Sequence, residues 1–163
     1  MDNFEQKYNK LNDVSKMAIN AYRSGRQFMV TGIQTSGVGI VIHNRLYPTI
    51  IASVVNEVFA CELFLKSMIM IKTGEKSIKK HELLELYDLL DIETIEKSLL
   101  KKYDFKEELQ KISDSFVTWR YCYECDTIVI NRGFVFELCN ALEKENKKII
   151  LNEYSLDMDQ SFI

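Results

Sequence analysis

Proline is almost missing from this chain, one residue in 163, and glycine is scarce at six. Sandwiches and barrels use both residues at their many turns, so the shortage argues for helices instead. Helix formers such as Leu, Lys, Glu and Met are abundant. No basic stretch, apolar stretch and small-residue cleavage site open the chain. Four cysteines without an export signal are expected to be reduced thiols of a cytoplasmic protein. An uninterrupted apolar run is lacking too, because Tyr47 to Ile71 carries Asn56, Glu57, Glu62 and Lys66. A bilayer interior penalises such groups, so this run is expected to be a buried core helix, with no membrane partner. Nor is there an excess of positive charge: 21 basic against 24 acidic residues leave a net charge of −3. Broad contact with a phosphate backbone favours a basic protein, so the balance weakens a general nucleic-acid reading. A local cluster, Lys72, Lys76, Lys79 and Lys80, is either a solvated face or a site of phosphate attraction.

What is present is enough for one domain. At 163 residues, the chain can bury about two-thirds of its unfolded surface without disulfides or metals. Neither an internal repeat nor a low-complexity linker divides it, so residues 1–163 read as a single helical domain. Phe4, Tyr8, Leu11, Ala18, Tyr22 and Met29 recur at helical spacing and predict a first helix over about 3–30. The following stretch, "TGIQTSGVGIVIHNRLY", breaks that period and reads as a loop, although "GIVI" there and "DTIVI" at 126–130 have a strand-like character. Pro48 fits the first turn of a second helix ending near Lys72, with Gly74 as its stop. "HELLELYDLL" predicts a short third helix, and Asp91 a cap for a fourth over about 92–103. "DFKE" at 104–107 is a capping-box pattern for a fifth helix running to about Glu124, and Asn131 is a cap for a sixth. The terminal "NEYSLDMDQSFI" is acidic and is expected to fray.

Two charged pairs stand in apolar company. On a helical projection of the second helix, Glu62 and Lys66 fall among Val55, Val58, Phe59, Ile51 and Ile69. Buried charges need partners, and this pair has the favourable i,i+4 order with the acid first. In the segment "SFVTWRYCYEC", Ile112, Phe116, Trp119 and Tyr123 form a stripe, with Arg120 at its border and Glu124 further out. Arg120 is thereby expected to turn toward the core and meet Glu62, since its planar fork can bind a carboxylate through two hydrogen bonds. Glu62, Lys66, Arg120 and Glu124 then form either a structural network that fixes helix register, or the lining of a groove or dimer seam for a ligand or RNA phosphate. Tyr121, Tyr123 and Trp119 are core aromatics or platforms for stacked bases.

"NEVFACELFLKSMI" at 56–69, "KKHELLELYDLL" at 79–90 and "SFVTWRYCYE" at 115–124 together resemble the HEPN family of small helical proteins. The resemblance covers about residues 48–150. It implies an all-α fold with an antiparallel four-helix-bundle core, here with an extra N-terminal helix and a glycine-containing loop. It also implies a homodimer, RNA or nucleotide as ligand, and roles in toxin–antitoxin pairs, phage defence or beside a nucleotidyltransferase partner. Glu62, Lys66, Arg120, Tyr121 and Tyr123 are the expected ligand or dimer-cleft residues. Ribonucleases of that family carry an arginine followed after four to six residues by a histidine. Here Arg23, Arg26, Arg45, Arg120 and Arg132 all lack one, and the positions after Arg120 hold Cys125, Asp126 and Thr127. Without that histidine the usual proton-transfer group near neutral pH is missing. The preferred expectation is therefore binding of RNA, nucleotide or a protein partner without the standard ribonuclease chemistry. The alternatives are a metal-independent RNA-cleaving toxin using Arg120 with Glu124 or His81, and a structural interaction module paired with a nucleotidyltransferase.

The remaining signals point to packing. Cys122 and Cys125 form a C-x-x-C, yet a closed zinc site needs four ligands and would require Cys61, Cys139, His43 or His81 to converge. No metal and no cofactor are expected. His81 opens a helix, where a capping or docking role is expected, and His43 lies in the loop. "TSGVG" lacks the Lys-Ser/Thr of a phosphate loop.

Overall fold

In a computed structural model, residues 3–37, 39–42, 45–90, 92–99, 101–113 and 130–159 are described. The fold is mostly helical. Its elements are α1 (Asn3–Asn9), α2 (Asp13–Thr35), β1 (Gly39–Ile42), β2 (Arg45–Pro48), α3 (Ile50–Thr73), α4 (Leu83–Asp88), α5 (Glu93–Leu99), α6 (Phe105–Ser113) and α7 (Arg132–Tyr154).

Capping chemistry sets most of these boundaries. The expected helix over 3–30 is two helices, because the Asn12 side chain accepts from Ser15 N at 2.9 Å and starts α2 afresh. α2 then runs on to Thr35, so Gly32 is helical and the loop is shorter than its glycines suggest. "GIVI" is a strand, paired antiparallel with "RLYP", and the other strand-like segment lies mostly outside the described residues. Pro48 ends β2 instead of opening α3; Thr49 takes the N-cap position. Gly74, at φ 74°, stops α3 as expected, and its N–H bonds the Met70 carbonyl at 2.9 Å. Asp104 Oδ1 accepts from Glu107 N at 3.3 Å, as the capping-box pattern predicts, and Asn131 Oδ1 accepts from Phe134 N at 3.2 Å. α5 is shorter than expected, and Asp91 lies outside the described residues.

α3 is the central rod. Ser53, Ala60 and Ser67 are fully buried, as are Cys61, Phe64 and Leu65. On one side it meets α2, with Gly25 facing Phe64 and Gly32 facing Ser53 and Glu57, so the two helices run antiparallel. On the other side Asn146 of α7 donates to the Phe64 carbonyl at 2.9 Å and accepts from Ser67 Oγ at 3.2 Å. With Cys139 beside Cys61, these contacts set α7 parallel to α3. α2 and α7 are tied by Tyr22, whose hydroxyl donates to Glu143 at 2.6 Å. Burial and that bond push the Tyr22 phenol well above its ordinary range. One core cluster runs from Phe4 to Met158.

The two ends are docked. On α1, Phe4 and Tyr8 stack, and the Arg23 guanidinium lies 5.1 Å and 5.2 Å from their rings. The C-terminal segment is not frayed through residue 159. Leu156 and Met158 are buried, Lys7 donates to the Ser155 carbonyl at 2.9 Å, and Asp159 pairs with Lys147 and, at 3.6 Å, with Arg26. Acidic residues misled there because the two apolar side chains between them supply the burial.

The α2–α3 seam depends on two missing side chains. A Cβ on Gly25 would stand 2.7 Å from the Phe64 ring, and one on Gly32 would stand 2.7 Å from Glu57 Cγ and 2.9 Å from the Ser53 carbonyl oxygen. Gly25→Ala and Gly32→Ala are each expected to lower stability by about 1–3 kcal/mol through overpacking. Gly32→Ala is the worse, since a backbone oxygen cannot swing away. Gly37, with nothing within 4 Å of its Cβ position, is the control, expected within about 0.5 kcal/mol of wild type. Urea denaturation of the three variants checks the order.

Candidate functional site

Gly74 turns the chain out of α3, and residues 75–82 return it to the start of α4. Lysines anchor this connection: Lys72 donates to the Leu89 carbonyl at 3.3 Å, Lys76 pairs with Asp13 at 3.2 Å and Lys80 with Glu85 at 2.9 Å. The path brings His81 beside Glu62, nineteen positions earlier in sequence.

One oxygen, Glu62 Oε1, holds the cluster together. Lys66 Nζ lies 2.8 Å from it and His81 Nδ1 2.9 Å from it. A carboxylate only accepts, so the hydrogen of the second contact is carried on Nδ1, and Nε2 is left free for another partner. An ammonium only donates, so the 3.4 Å separation of Lys66 Nζ from His81 Nδ1 is a proximity set by their shared acceptor. Burial is graded across the three: the Glu62 side chain is 4% exposed, Lys66 14% and His81 64%. A carboxylate so deeply placed is costly unless donors surround it, and here two converge on one atom. The result is a carboxylate inside the fold, an ammonium at its edge and an imidazole reaching into solvent.

A groove of about 440 Å³ adjoins Lys66. Its walls are Met17 and Ala21 of α2, Leu63 and Met70 of α3, and Ile78 of the connection, with Lys66 and Lys76 among the lining residues. Residues 72–81 add Lys79 and Lys80, so this segment holds four lysines against one acid, Glu75. The basic cluster noted in the sequence leads through Lys79 and Lys80 to His81, and Lys76 and Lys80 also tie the connection down.

Of the site residues expected from sequence, Glu62, Lys66 and His81 come together. Arg120, Tyr121, Tyr123 and Glu124 lie outside the described residues, as do Trp119, Cys122, Cys125 and His43. The i,i+4 pairing of Glu62 with Lys66 holds, and among the described residues His81 is a further partner from outside α3; the expected contact with Arg120 lies outside the described residues. His81 does not cap α4, whose N-cap position is Glu82, without a side-chain bond. Sequence reasoning placed His81 in the helix start and so missed its link to Glu62; only the return path after Gly74 reveals it. Cys61 and Cys139 are buried against each other, and that contact, followed by burial, pushes the Cys139 thiol well up. Such thiols are inert packing groups. Among the described residues, no group of three or more His, Cys, Asp or Glu side chains is placed to hold a metal ion. Likewise none of the described helices is long and apolar enough to cross a membrane.

Glu62→Ala would leave the Lys66 ammonium and the His81 Nδ1–H without their acceptor. We expect a loss of about 1–3 kcal/mol, chiefly from stranding the partly buried Lys66 ammonium. The double variant Glu62→Ala/Lys66→Met, with no ammonium left to strand, is expected to recover part of it. Chemical denaturation of both proteins checks this; superimposable wild-type and Glu62→Ala curves would contradict the geometry.

No protein-family model matches this chain, and no curated protein or solved structure matches it either.

Proposed function

We propose that this is a HEPN-like helical-bundle protein that binds RNA, or another phosphate-bearing ligand, at the face made by Lys66, His81 and the lysine-bearing connection. In this reading it lacks the standard HEPN ribonuclease chemistry. The observation that carries the proposal is the convergence of Lys66 and His81 on one oxygen of Glu62. That acid neutralises Lys66 on its buried side and turns the imidazole outward. A phosphate arriving from solvent then meets the outer edges of Lys66 and His81 with Lys79 and Lys80 nearby in sequence. The apolar groove beside Lys66 is of a size to receive one base. The opposed run of α2 and α3, and the shared direction of α3 and α7, suit an antiparallel four-helix bundle and support the HEPN likeness.

The Glu62–His81 contact also favours a second reading, RNA cleavage. A carboxylate that fixes Nδ1–H and turns Nε2 outward is an arrangement able to pass a proton to or from a bound group. It would act with Arg120 or Glu124, the arginine and acid of the aromatic segment. The family likeness further supports a homodimer and a nucleotidyltransferase or antitoxin partner, in a cytoplasmic toxin–antitoxin or phage-defence setting. Copurification of an unlabelled protein with no RNA retained would favour the interaction module over both RNA readings.

End-labelled single-stranded RNA tests the choice. The wild type is expected to retain intact RNA at low salt, with log affinity falling by about 0.7 per decade of salt for each phosphate neutralised. Lys79→Ala/Lys80→Ala, both exposed, should weaken retention and flatten that slope. Absence of binding at low salt sinks the proposal. Cleaved RNA with wild type, and intact RNA with His81→Ala, would establish the second reading instead.

A further inference from the structure

A second glutamate of α3 is more deeply buried than Glu62 and has no cation bonded to it. Glu57 is 1% exposed, and its Oε2 has no hydrogen-bond partner. Its other oxygen, Oε1, lies 3.2 Å from Ser53 Oγ one turn earlier. Ser53 Oγ in turn lies 2.6 Å from the carbonyl oxygen of Gly32, across the seam on α2. Ser53 itself is fully buried, so this line of atoms lies inside the seam.

Counting hydrogens bears on the charge. A serine hydroxyl has one proton, and a carbonyl oxygen has none. The 2.6 Å contact must therefore use the Ser53 proton, since Gly32 O can only accept. The 3.2 Å contact then needs a proton from the other side, and a carboxylate has none to give. We propose that Glu57 is carried at neutral pH as an uncharged carboxylic acid, donating to Ser53, and that its ionisation opens the α2–α3 seam. The chain is Glu57 carboxyl to Ser53 hydroxyl to Gly32 carbonyl. When the acid ionises, its proton passes to the buffer, and two acceptors, the carboxylate and Gly32 O, compete for the single Ser53 hydrogen.

The surroundings agree. Burial raises the Glu57 carboxyl above its ordinary value, outweighing the Arg132 charge, which favours the ionised form. Arg132 spends one guanidinium N–H on the Ser36 carbonyl, at 3.0 Å. From α7, Cys139 also feels Glu57, and its thiol is paired with Cys61 one turn further along α3. From α2, Glu57 faces the backbone of Gly32, whose missing Cβ lets the acid approach. No charged side chain of α2 is there to hold an ionised form. The clasp therefore sits where α2 ends and the β1–β2 hairpin begins, and its protonation state governs how firmly that end of the bundle is closed.

The sign follows from linkage. A carboxyl whose folded state binds its proton more tightly stabilises fully below the ordinary value of 4.5, and that stability is lost as pH rises through the folded value. Glu57→Gln keeps a donor toward Ser53 and cannot ionise. Thermal melting of the full chain should show the variant and wild type close together below that pH, with the variant increasingly the more stable as pH rises. Infrared spectra at neutral pH should show the carbonyl stretch of a protonated carboxylic acid in wild type and not in Glu57→Gln. A melting difference independent of pH, or a wild-type spectrum without that band, overturns the proposal. Should Glu57→Gln fail to fold, the wild-type spectrum still decides, and Ser53→Ala must shift the band by removing its acceptor. These readouts do not involve RNA, so they stand or fall apart from the proposed function.

Discussion

The burial of α3 on nearly every side constrains the rest of the molecule. A helix with solvent along one face can place its charges there, but α3 packs against α2, α4 and α7 and still carries glutamates at 57 and 62. An isolated carboxylate cannot remain ionised in such a position without donors. The fold resolves the two cases differently. Glu62 is ion-paired at the edge of the rod, where Lys66 and His81 can reach it. Glu57 lies against the backbone of α2, where no cation bonds to it, and is neutral. The first solution builds an outward-facing polar group, and the second builds an internal clasp.

That division has a consequence for how the site is supported. Lys66 and Glu62 share a helix that is also pinned by Asn146 and by the two α2 glycines. Rotation of α3 about its axis would drive Phe64 into α2 or break the Asn146 bonds, so the ammonium and the carboxylate are held by the packing of the whole core. His81 is different. It comes from an irregular connection secured mainly by exposed lysine pairs, each worth on the order of 1 kcal/mol or less. The rigid half of the site is therefore on α3, and the adaptable half is on the connection. The combination puts fixed charge at the rim of the groove and an imidazole free to adjust beside it.

Local chemistry was legible in the sequence where it acts locally. Asn131 and Asp104 cap the helices they were expected to cap, and Gly74 stops α3, because each motif depends on residues three or four positions away. The Glu62–Lys66 pair was legible for the same reason. What could not be read depends on distant contacts. Gly32 looked like a loop residue because its value, close approach to Ser53 and Glu57, exists only once α3 is in place. Ser53 and Ser67 drew no notice, yet small hydroxyls on a fully buried helix are what allow a close neighbour and a buried hydrogen bond. Glu57 was noticed only as an obstacle to membrane insertion. His81 was assigned to the nearest helix start, since nothing in "KKHELLELY" announces that the chain doubles back along α3. In each miss, tertiary packing overrode a sound local inference.

The two carboxyls also differ in what they ask of the environment. Glu62 needs its donors present, so its contribution is electrostatic and open to competition from an arriving anion. Glu57 needs the absence of charge and of water, so its contribution is sealed from ligands but exposed to whatever loosens the seam. Because both belong to one continuous helix, a change that separates α2 from α3 also relaxes the groove wall that α2 supplies beside Lys66, through Met17 and Ala21. The groove and the clasp share the same two helices, with Gly25 seated between them along α2. A shift at Gly32 must pass Gly25 and the Phe64 ring, 2.7 Å from where its Cβ would be, before it reaches the groove. Close packing transmits displacement only where side chains have no room to absorb it, and that contact has none. The glycine pair therefore provides the tight seam and also sets how far a disturbance at the buried acid can travel toward the lysine.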